Sequence, residues 1–143
     1  MRTKLLLLYI VLPVFLYSQK KQVIFTDKAP KPIGPYSQAI KTGNTLYVAG
    51  QIGLNVDGKL DSTSIENETT QTLSNIKTIL EAAGMTFKNV VKVTIYVTDL
   101  GNFKKINDIY ATYFSAEPPA RETIEVKALP KGAHIEISVI ASL

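Results

Sequence analysis

The chain has 143 residues, of which 45% are hydrophobic and 20% charged, and these values are ordinary for one globular domain with a real core. It contains no cysteine, which excludes disulfides, thiol catalysis and cysteine-bound metal. With a single histidine, a zinc site would need carboxylates for its remaining ligands, so the composition disfavours a zinc enzyme.

The first residues form a segment distinct from the rest. Two basic residues precede an apolar run of twelve residues at positions 5–16, and the small Ser18 follows. This order is typical of a secretory signal peptide, and the run is shorter than the ~20 residues of a membrane-spanning helix. We expect residues 1–18 to be a signal peptide and residues 19–143 to form a single domain. The mature protein would then be exported, periplasmic or secreted, without a stable membrane span, whereas an uncleaved leader would leave it membrane-anchored or cytoplasmic.

The charge of the chain gives little support for binding to nucleic acid. The formal net charge is +4, and without Arg2 and Lys4 of the leader it is +2. The lysines are scattered, whereas nucleic-acid-binding proteins usually gather basic residues in a patch. We therefore expect no nucleic-acid partner.

Turn residues divide the first part of the mature chain into short strands. Strands are predicted at residues 23–26, 38–42 and 45–51. The loop at residues 29–37 contains three prolines and is expected to be extended and stiff. Gly43 and Asn44, between two apolar runs, indicate a β-hairpin, and residues 55–59 predict a further turn.

A long amphipathic helix is predicted after this turn. Small or apolar residues recur at helical spacing on one stripe: Ile65, Thr69, Thr72, Leu73, Ile76, Leu80 and Ala83. Thr63 and Glu66 resemble a capping box at its start, and Gly84 suits its end. We interpret the stripe as core packing.

Three strands and a second helix complete the chain. Strands are predicted at residues 90–99, 121–127 and 134–141. Asp99 suits the cap of a helix whose one face carries Phe103, Ile106, Tyr110 and Tyr113, which we interpret as core. His134 is interpreted as a strand residue without a functional role.

The order β-β-β-α-β-α-β-β predicts an α+β fold with a mixed sheet, because strands connected through helices pair in parallel. Each helix has a single apolar stripe, so both would cover the same face of the sheet. Residues 46–52 and 92–98 carry apolar or aromatic side chains on both strand faces. This pattern favours a homo-oligomer that buries the uncovered face.

Six segments carry a resemblance to a known family. They are IGPYSQAI, LYVAGQIG, TLSNIKTILEAAGM, VVKVTIYVTDLGNF, PPARETIEV and LPKGAHIEISVIA. In their order and spacing, residues 28–143 resemble the reactive intermediate deaminase (Rid, YjgF/YER057c) family. The resemblance implies a chorismate-mutase-like mixed sheet covered on one face by two helices. It also implies a homotrimer with ligand clefts between subunits.

The deaminase branch of that family hydrolyses 2-imino acids and their enamine tautomers to 2-oxo acids and ammonia. The resemblance therefore implies a 2-iminobutanoate/2-iminopropanoate deaminase, a hydrolase acting on C=N bonds that needs neither a metal nor another cofactor. Its binding partners would be small 2-imino and 2-oxo acids. The alternatives are a non-enzymatic, small-molecule-binding or chaperone-like trimer, and a ribonuclease, which the diffuse charge disfavours.

The resemblance also implies a set of site residues. Arg121 would bind the substrate carboxylate, and Glu136 would position and deprotonate the attacking water. Substrate binding would also involve Tyr36, Gly50, Asn107 and Thr123. Two positions depart from the family pattern: Ala49 stands where many relatives have serine, and Thr123 where many deaminases have cysteine.

Arg121 is distinctive by residue type as well, because the other basic residues of the mature chain are lysines. A planar guanidinium holds a carboxylate through two parallel hydrogen bonds, which an ammonium group cannot do. Arg121 and Glu136 lie fifteen residues apart on consecutive predicted strands, so we expect an antiparallel hairpin to bring them together. A simple ion pair between them is the alternative without catalysis.

We predict that the mature protein begins at Gln19 or a close neighbour, because signal peptidase cleaves after small residues such as Ser18. Mass spectrometry of the protein purified from its native host will identify the first residue. Recovery of the chain with Met1 intact from the cytosolic fraction would contradict the prediction.

Overall fold

Six strands form one sheet. In a computed structural model, which describes residues 20–143, the strands are β1 (Gln22–Ile24), β2 (Ala39–Thr42), β3 (Thr45–Ile52), β4 (Val90–Val97), β5 (Ala120–Glu125) and β6 (Ile135–Ser142). Their order across the sheet is β1-β2-β3-β6-β4-β5, and β5 is parallel to β4 while all other pairs are antiparallel. The predicted mixed sheet is confirmed. The predicted signal peptide, residues 1–18, lies outside the described residues.

Two helices, α1 (Ile65–Ala82) and α2 (Phe103–Tyr113), cover one face of the sheet, as predicted. Most of the predicted α1 stripe is buried: Thr69, Thr72, Leu73, Ile76 and Leu80. These side chains belong to a core that also contains the inward residues of β6, Ile135, Ile137 and Val139. Burial of such apolar surface stabilises a fold by about 25 cal/mol per Å², which fixes the helices on this face.

Helix α1 begins one residue later than the sequence pattern predicts. Ser64 has extended backbone angles, and its Oγ accepts a hydrogen bond of 3.1 Å from the N–H of Asn67. Thr63 instead donates its hydroxyl to Asp61 at 2.6 Å, which leaves Ser64 to cap the helix. The predicted capping box of Thr63 and Glu66 is therefore wrong. The predicted end is confirmed, because Gly84 follows the helix with a positive φ of 72°.

The face of the sheet opposite the helices carries exposed apolar side chains. Val23, Tyr47 and Ile124 retain 58%, 49% and 43% of their accessible surface. Tyr47 alternates with the buried Leu46 and Val48 on β3, as the two-sided apolar pattern predicts. A second copy of the chain is a suitable cover for this open face, and the homotrimer stays a prediction. Within residues 20–143, no helix has the length and apolar character needed to cross a membrane.

We expect Ser64→Ala to lower the free energy of unfolding by about 1 kcal/mol, because it removes the acceptor for an orphan N–H of α1. Thr63→Ala is the matched control and should cost less, since the hydroxyl of Thr63 bonds only to the side chains of Asp61 and Asn67 and satisfies no backbone N–H of the helix. Chemical denaturation of the two variants measures the difference. A larger loss in Thr63→Ala would show that the capping box is correct after all.

Candidate functional site

A cleft of about 300 Å³ lies between the proline-rich loop and the ends of β3 and β6. Tyr36 comes from the loop, Gly50 from β3 and Glu136 from β6. These are three of the six site residues that the family resemblance implies. We call the cleft that these three residues line the glutamate cleft.

The loop that forms one wall is anchored by the buried amide of Gln38. Its Oε1 accepts from the backbone N–H of Thr26 at 2.8 Å. Its Nε2 donates to the carbonyls of Thr26 at 3.0 Å and Pro30 at 2.9 Å. Tyr36 is half-exposed at the cleft, and its hydroxyl accepts from the N–H of Ile33 at 3.2 Å. The loop is therefore held by side-chain hydrogen bonds as well as by its prolines.

A β-bulge brings Gly50 against Glu136. Val48 pairs with Val139 and Gln51 with Ile137, so β3 has one residue more than β6 in this interval. A Cβ atom at Gly50 would overlap the carboxylate of Glu136, so the carboxylate could not keep this position beside any other residue. Glycine here makes room for the carboxylate, in addition to lining the cleft.

Glu136 is the carboxyl group that lines the cleft. It lies on the open face of the sheet, and partial burial raises the pKa of its carboxyl group above the ordinary value. A carboxylate with a raised pKa is a stronger base at neutral pH than an exposed one. Glu136 therefore has both the exposure to the cleft and the basicity that a proton acceptor needs.

Arg121 is half-buried on β5 and is held by α2. Its Nη1 donates to Oδ1 of Asn107 at 2.8 Å, and its guanidinium carbon lies 4.7 Å from the ring centroid of Tyr110. The ring of Phe103 lies 5.7 Å from the same carbon. The amide of Asn107 and the rings of Tyr110 and Phe103 together fix the plane of the guanidinium, since cations are attracted to aromatic faces. Thr123 lies two residues further along β5 and on the same strand face, and we call Asn107, Arg121 and Thr123 the arginine patch.

The aromatic face of α2 supports this arginine as well as the core. Burial raises the pKa of Tyr110 to about 12, with an opposing effect from the charge of Arg121. Phe103, by contrast, is 42% exposed, so its interpretation as core is wrong. The sequence contained a signal for this arrangement, because Phe103, Asn107 and Tyr110 recur at helical spacing on one face of α2.

The expected hairpin between the strands of Arg121 and Glu136 is wrong. Strand β4 lies between β5 and β6, so these two strands are not neighbours. Arg121 pairs with the buried Val93 and faces the helices, whereas Glu136 pairs with Tyr96 and faces the other way. Within one copy, the glutamate cleft and the arginine patch therefore lie on opposite faces of the sheet.

Three further polar residues line the cleft and were not among the predicted site residues: Lys31, Gln38 and Gln51. The Nε2 group of Gln51 donates to the carbonyls of Ala49 and Gly50 at 3.1 and 3.2 Å, which satisfies acceptors at the bulge. A buried glutamine within an otherwise apolar strand was the signal that could have found it. Among residues 20–143, histidine, aspartate and glutamate nowhere gather in a group of three that could hold a metal ion.

Comparison with known proteins identifies the family. The sequence profile of the endoribonuclease L-PSP family matches residues 26–143. The crystal structure of a protein of unknown function of the conserved Rid protein family, from Yersinia pestis, superposes with a TM-score of 0.84 at 51% identity, over 87% of this chain and 100% of that one. The chain belongs to the Rid family.

Two named relatives extend over nearly the same region of this Rid chain. A RutC family protein of Pyrococcus horikoshii is 53% identical over 122 residues, which are 85% of this chain and 97% of the relative. The 2-iminobutanoate/2-iminopropanoate deaminase of Homo sapiens is 47% identical over 85% of this chain and 89% of its own. The resemblance seen in the sequence is thereby confirmed at the level of family and α+β fold.

We expect Glu136→Gln to stabilise this Rid chain at neutral pH. A carboxyl group whose pKa is raised by folding favours the folded state below its ordinary pKa, and this contribution is lost as the pH rises through the folded pKa. Glutamine is neutral throughout, so the variant should melt above the wild type at pH 7 and equally in acid. Melting curves across this pH range measure the difference.

Glu122→Gln is the matched control on the same open face. Hydrogen bonds from Lys92 and Thr94 lower the pKa of Glu122, so its contribution is present above the ordinary pKa and is lost in acid. This control should lower stability at neutral pH, the opposite sign. Parallel pH dependence in wild type and Glu136→Gln would contradict the assignment of a raised pKa to Glu136.

Proposed function

We propose that the protein is a 2-imino acid deaminase, which hydrolyses 2-iminobutanoate and 2-iminopropanoate or their enamines to 2-oxo acids and ammonia. The observation that carries the proposal is the carboxylate of Glu136, which faces a small cleft with a raised pKa. Its support is the 47% identity to the human protein named as this deaminase.

Glu136 would act as the general base. As the oxygen of a bound water attacks the carbon of the protonated imine, the carboxylate accepts the water proton and a carbinolamine forms. Glu136 passes that proton to the nitrogen, the C–N bond breaks, and the hydroxyl proton moves through the carboxylate to the departing ammonia, so that ammonium leaves and Glu136 is ionised again. General acid–base catalysis of this kind contributes about 10²–10⁴-fold.

Arg121 would orient the substrate through its carboxylate. The guanidinium offers a planar fork, and Asn107 and Tyr110 already hold that plane. Orientation of the carboxylate places the imine carbon relative to the water, which lowers the entropic part of the barrier. Substrates without a carboxylate should therefore react slowly.

The opposite placement of Arg121 and Glu136 favours a site shared between copies. A small imino acid cannot reach both faces of one sheet, so the arginine patch of one copy would complete the glutamate cleft of another. The exposed side chains of Val23, Tyr47 and Ile124 offer an apolar surface for that association. We propose a homotrimer with its clefts between subunits.

A second candidate is the non-enzymatic binding module, which the same exposed apolar face favours. Binding through this face would not depend on Arg121 or Glu136. Activity that requires both residues therefore separates the deaminase from the chaperone-like trimer.

We expect Arg121→Lys to lower the rate of imine hydrolysis by about 10- to 100-fold, because the charge remains but the planar fork is lost. Glu136→Gln should lower it by about 100-fold or more while 2-oxobutanoate still binds. Initial rates, calorimetric binding of 2-oxobutanoate and melting curves test both variants. Wild-type rates in both would reject the deaminase and favour the binding module.

Co-expression of the two defective variants tests whether the site is shared. Arg121→Lys copies supply Glu136 and Glu136→Gln copies supply Arg121, so random mixed oligomers should regain about a quarter of the sites. Mixing the separately purified, non-exchanging variants is the control and should restore nothing. Failure of co-expressed mixed oligomers to regain activity would place both residues of each site in one copy.

A further inference from the structure

Helix α1 contains a buried carboxylate that the proposed reaction does not use. Glu68 is 1% exposed. Its Oε1 accepts hydrogen bonds from two successive backbone N–H groups, that of His134 at 2.6 Å and that of Ile135 at 3.2 Å. Its Oε2 lies 2.9 Å from Nδ1 of the His134 ring. Three nitrogen atoms of β6 and the residue before it thus surround one side chain of α1.

Packing alone does not explain a charged residue at this position. Burial of a carboxylate is unfavourable unless hydrogen bonds and a partner charge compensate it, and an apolar residue of similar volume often stabilises a core at least as well. What the carboxylate adds is a pair of hydrogen bonds that fix the position of the backbone at His134 and Ile135. Its neighbours on α1, by contrast, are the apolar or small residues of the core stripe, such as Thr69 and Thr72.

The backbone that Glu68 holds leads directly into the glutamate cleft. Ile135 is the first residue of β6, and Glu136 follows it. Glu68 also contacts the other strand at this point, because a Cβ at Gly53 would lie 2.6 Å from its Cγ, and Gly53 follows Ile52, the β3 partner of Glu136. The start of β6 and the end of β3 are thus both in contact with this one side chain.

A second buried side chain of α1 holds the same end of β3. Asn75 donates through Nδ2 to the carbonyl of Ile52 at 3.1 Å and to that of Leu54 at 2.8 Å. It lies seven residues after Glu68, two helical turns along the same face. Helix α1 therefore fixes both strand ends that border Glu136 through polar contacts.

We propose that Glu68 is a positioning residue for Glu136: it holds the peptide before Glu136 so that the carboxylate stays against Gly50 and faces the cleft. The inference rests on the proposed function, since it concerns the general base of that reaction. Glu68 lies on the helix side of the sheet and Glu136 on the open side, so Glu68 acts through the backbone of β6 without touching the substrate.

The test compares three substitutions in the full-length mature protein. Glu68→Met keeps the volume but removes the acceptor, Glu68→Gln keeps a weaker neutral acceptor, and Thr69→Ala is the matched control on the next buried residue. The Thr69 hydroxyl donates to the carbonyl of Ile65 within α1, so its loss lowers stability without altering the hold on β6. The measurements are kcat and KM for imine hydrolysis, calorimetric binding of 2-oxobutanoate, and melting curves.

We expect Glu68→Met to lower kcat by about 10- to 100-fold, because a small misplacement of a catalytic group has effects of that size. Glu68→Gln should lower kcat by a smaller factor, because a neutral amide oxygen is a weaker acceptor, and Thr69→Ala should leave kcat unchanged. Binding of 2-oxobutanoate should be unchanged in all three, since it depends on Arg121. If Glu68→Met does not fold, Glu68→Gln decides: a kcat below that of wild type supports the proposal, and an unchanged kcat overturns it.

A double-mutant cycle separates positioning from general destabilisation. If Glu68 acts through Glu136, adding Glu68→Met (or Glu68→Gln, if the first does not fold) to Glu136→Gln should cause no further loss of rate, whereas independent effects would multiply. Multiplying effects overturn the proposal. An inactive wild type would reject the proposed function, and the positioning role with it. Activity that depends on Arg121 and Glu136 but is indifferent to Glu68 would reject the positioning role alone.

Discussion

The alternation of side chains along β4, β5 and β6 is the constraint on which the candidate site depends. Successive residues of a strand point to opposite faces, and paired residues share a face. Arg121 shares the helix face with Val93, and Glu136 shares the open face with Tyr96. No rotamer change brings these two side chains together through a sheet. Chemistry that needs both requires a second copy, which the exposed apolar surface of the open face can accommodate.

Two carboxylates lie near the start of β6 on opposite faces of the sheet: Glu68 of α1 on the helix face and Glu136 of β6 on the open face. Glu136 faces the cleft with a raised pKa, which makes the group a better base and weakens the folded state at neutral pH. Glu68 lies fully inside, with its lone pairs occupied by backbone N–H groups and an imidazole nitrogen. Glu68 is fully hydrogen-bonded and contacts the strand that carries Glu136, whose carboxyl group is partly desolvated at the cleft.

Glycine at two positions permits these close approaches. The carboxylate of Glu136 occupies the space that a side chain at Gly50 would take, and α1 packs on Gly53 at Glu68. The bulge in β3 brings Gly50 against Glu136, and the side chain of Gln51 donates to the carbonyls of Ala49 and Gly50 at this bulge. Cleft geometry therefore depends on backbone contacts that residue types alone do not reveal.

Local pattern was sufficient to predict the order of strands and helices, because the periods of 2.0 and 3.6 residues are properties of the chain itself. Arg121 stood out by residue type, because the other basic residues of the mature chain are lysines. The six family segments identified the Rid family and its implied site residues. The cap of α1 was missed by one residue, since Thr63 and Ser64 are equally suitable until the hydroxyl of Thr63 is bonded to Asp61. Only the tertiary structure decided that β4 lies between β5 and β6 and that Glu68 lies under the start of β6. Strand neighbours and contacts between residues 66 positions apart follow from how the whole sheet packs on its helices, which no local period encodes.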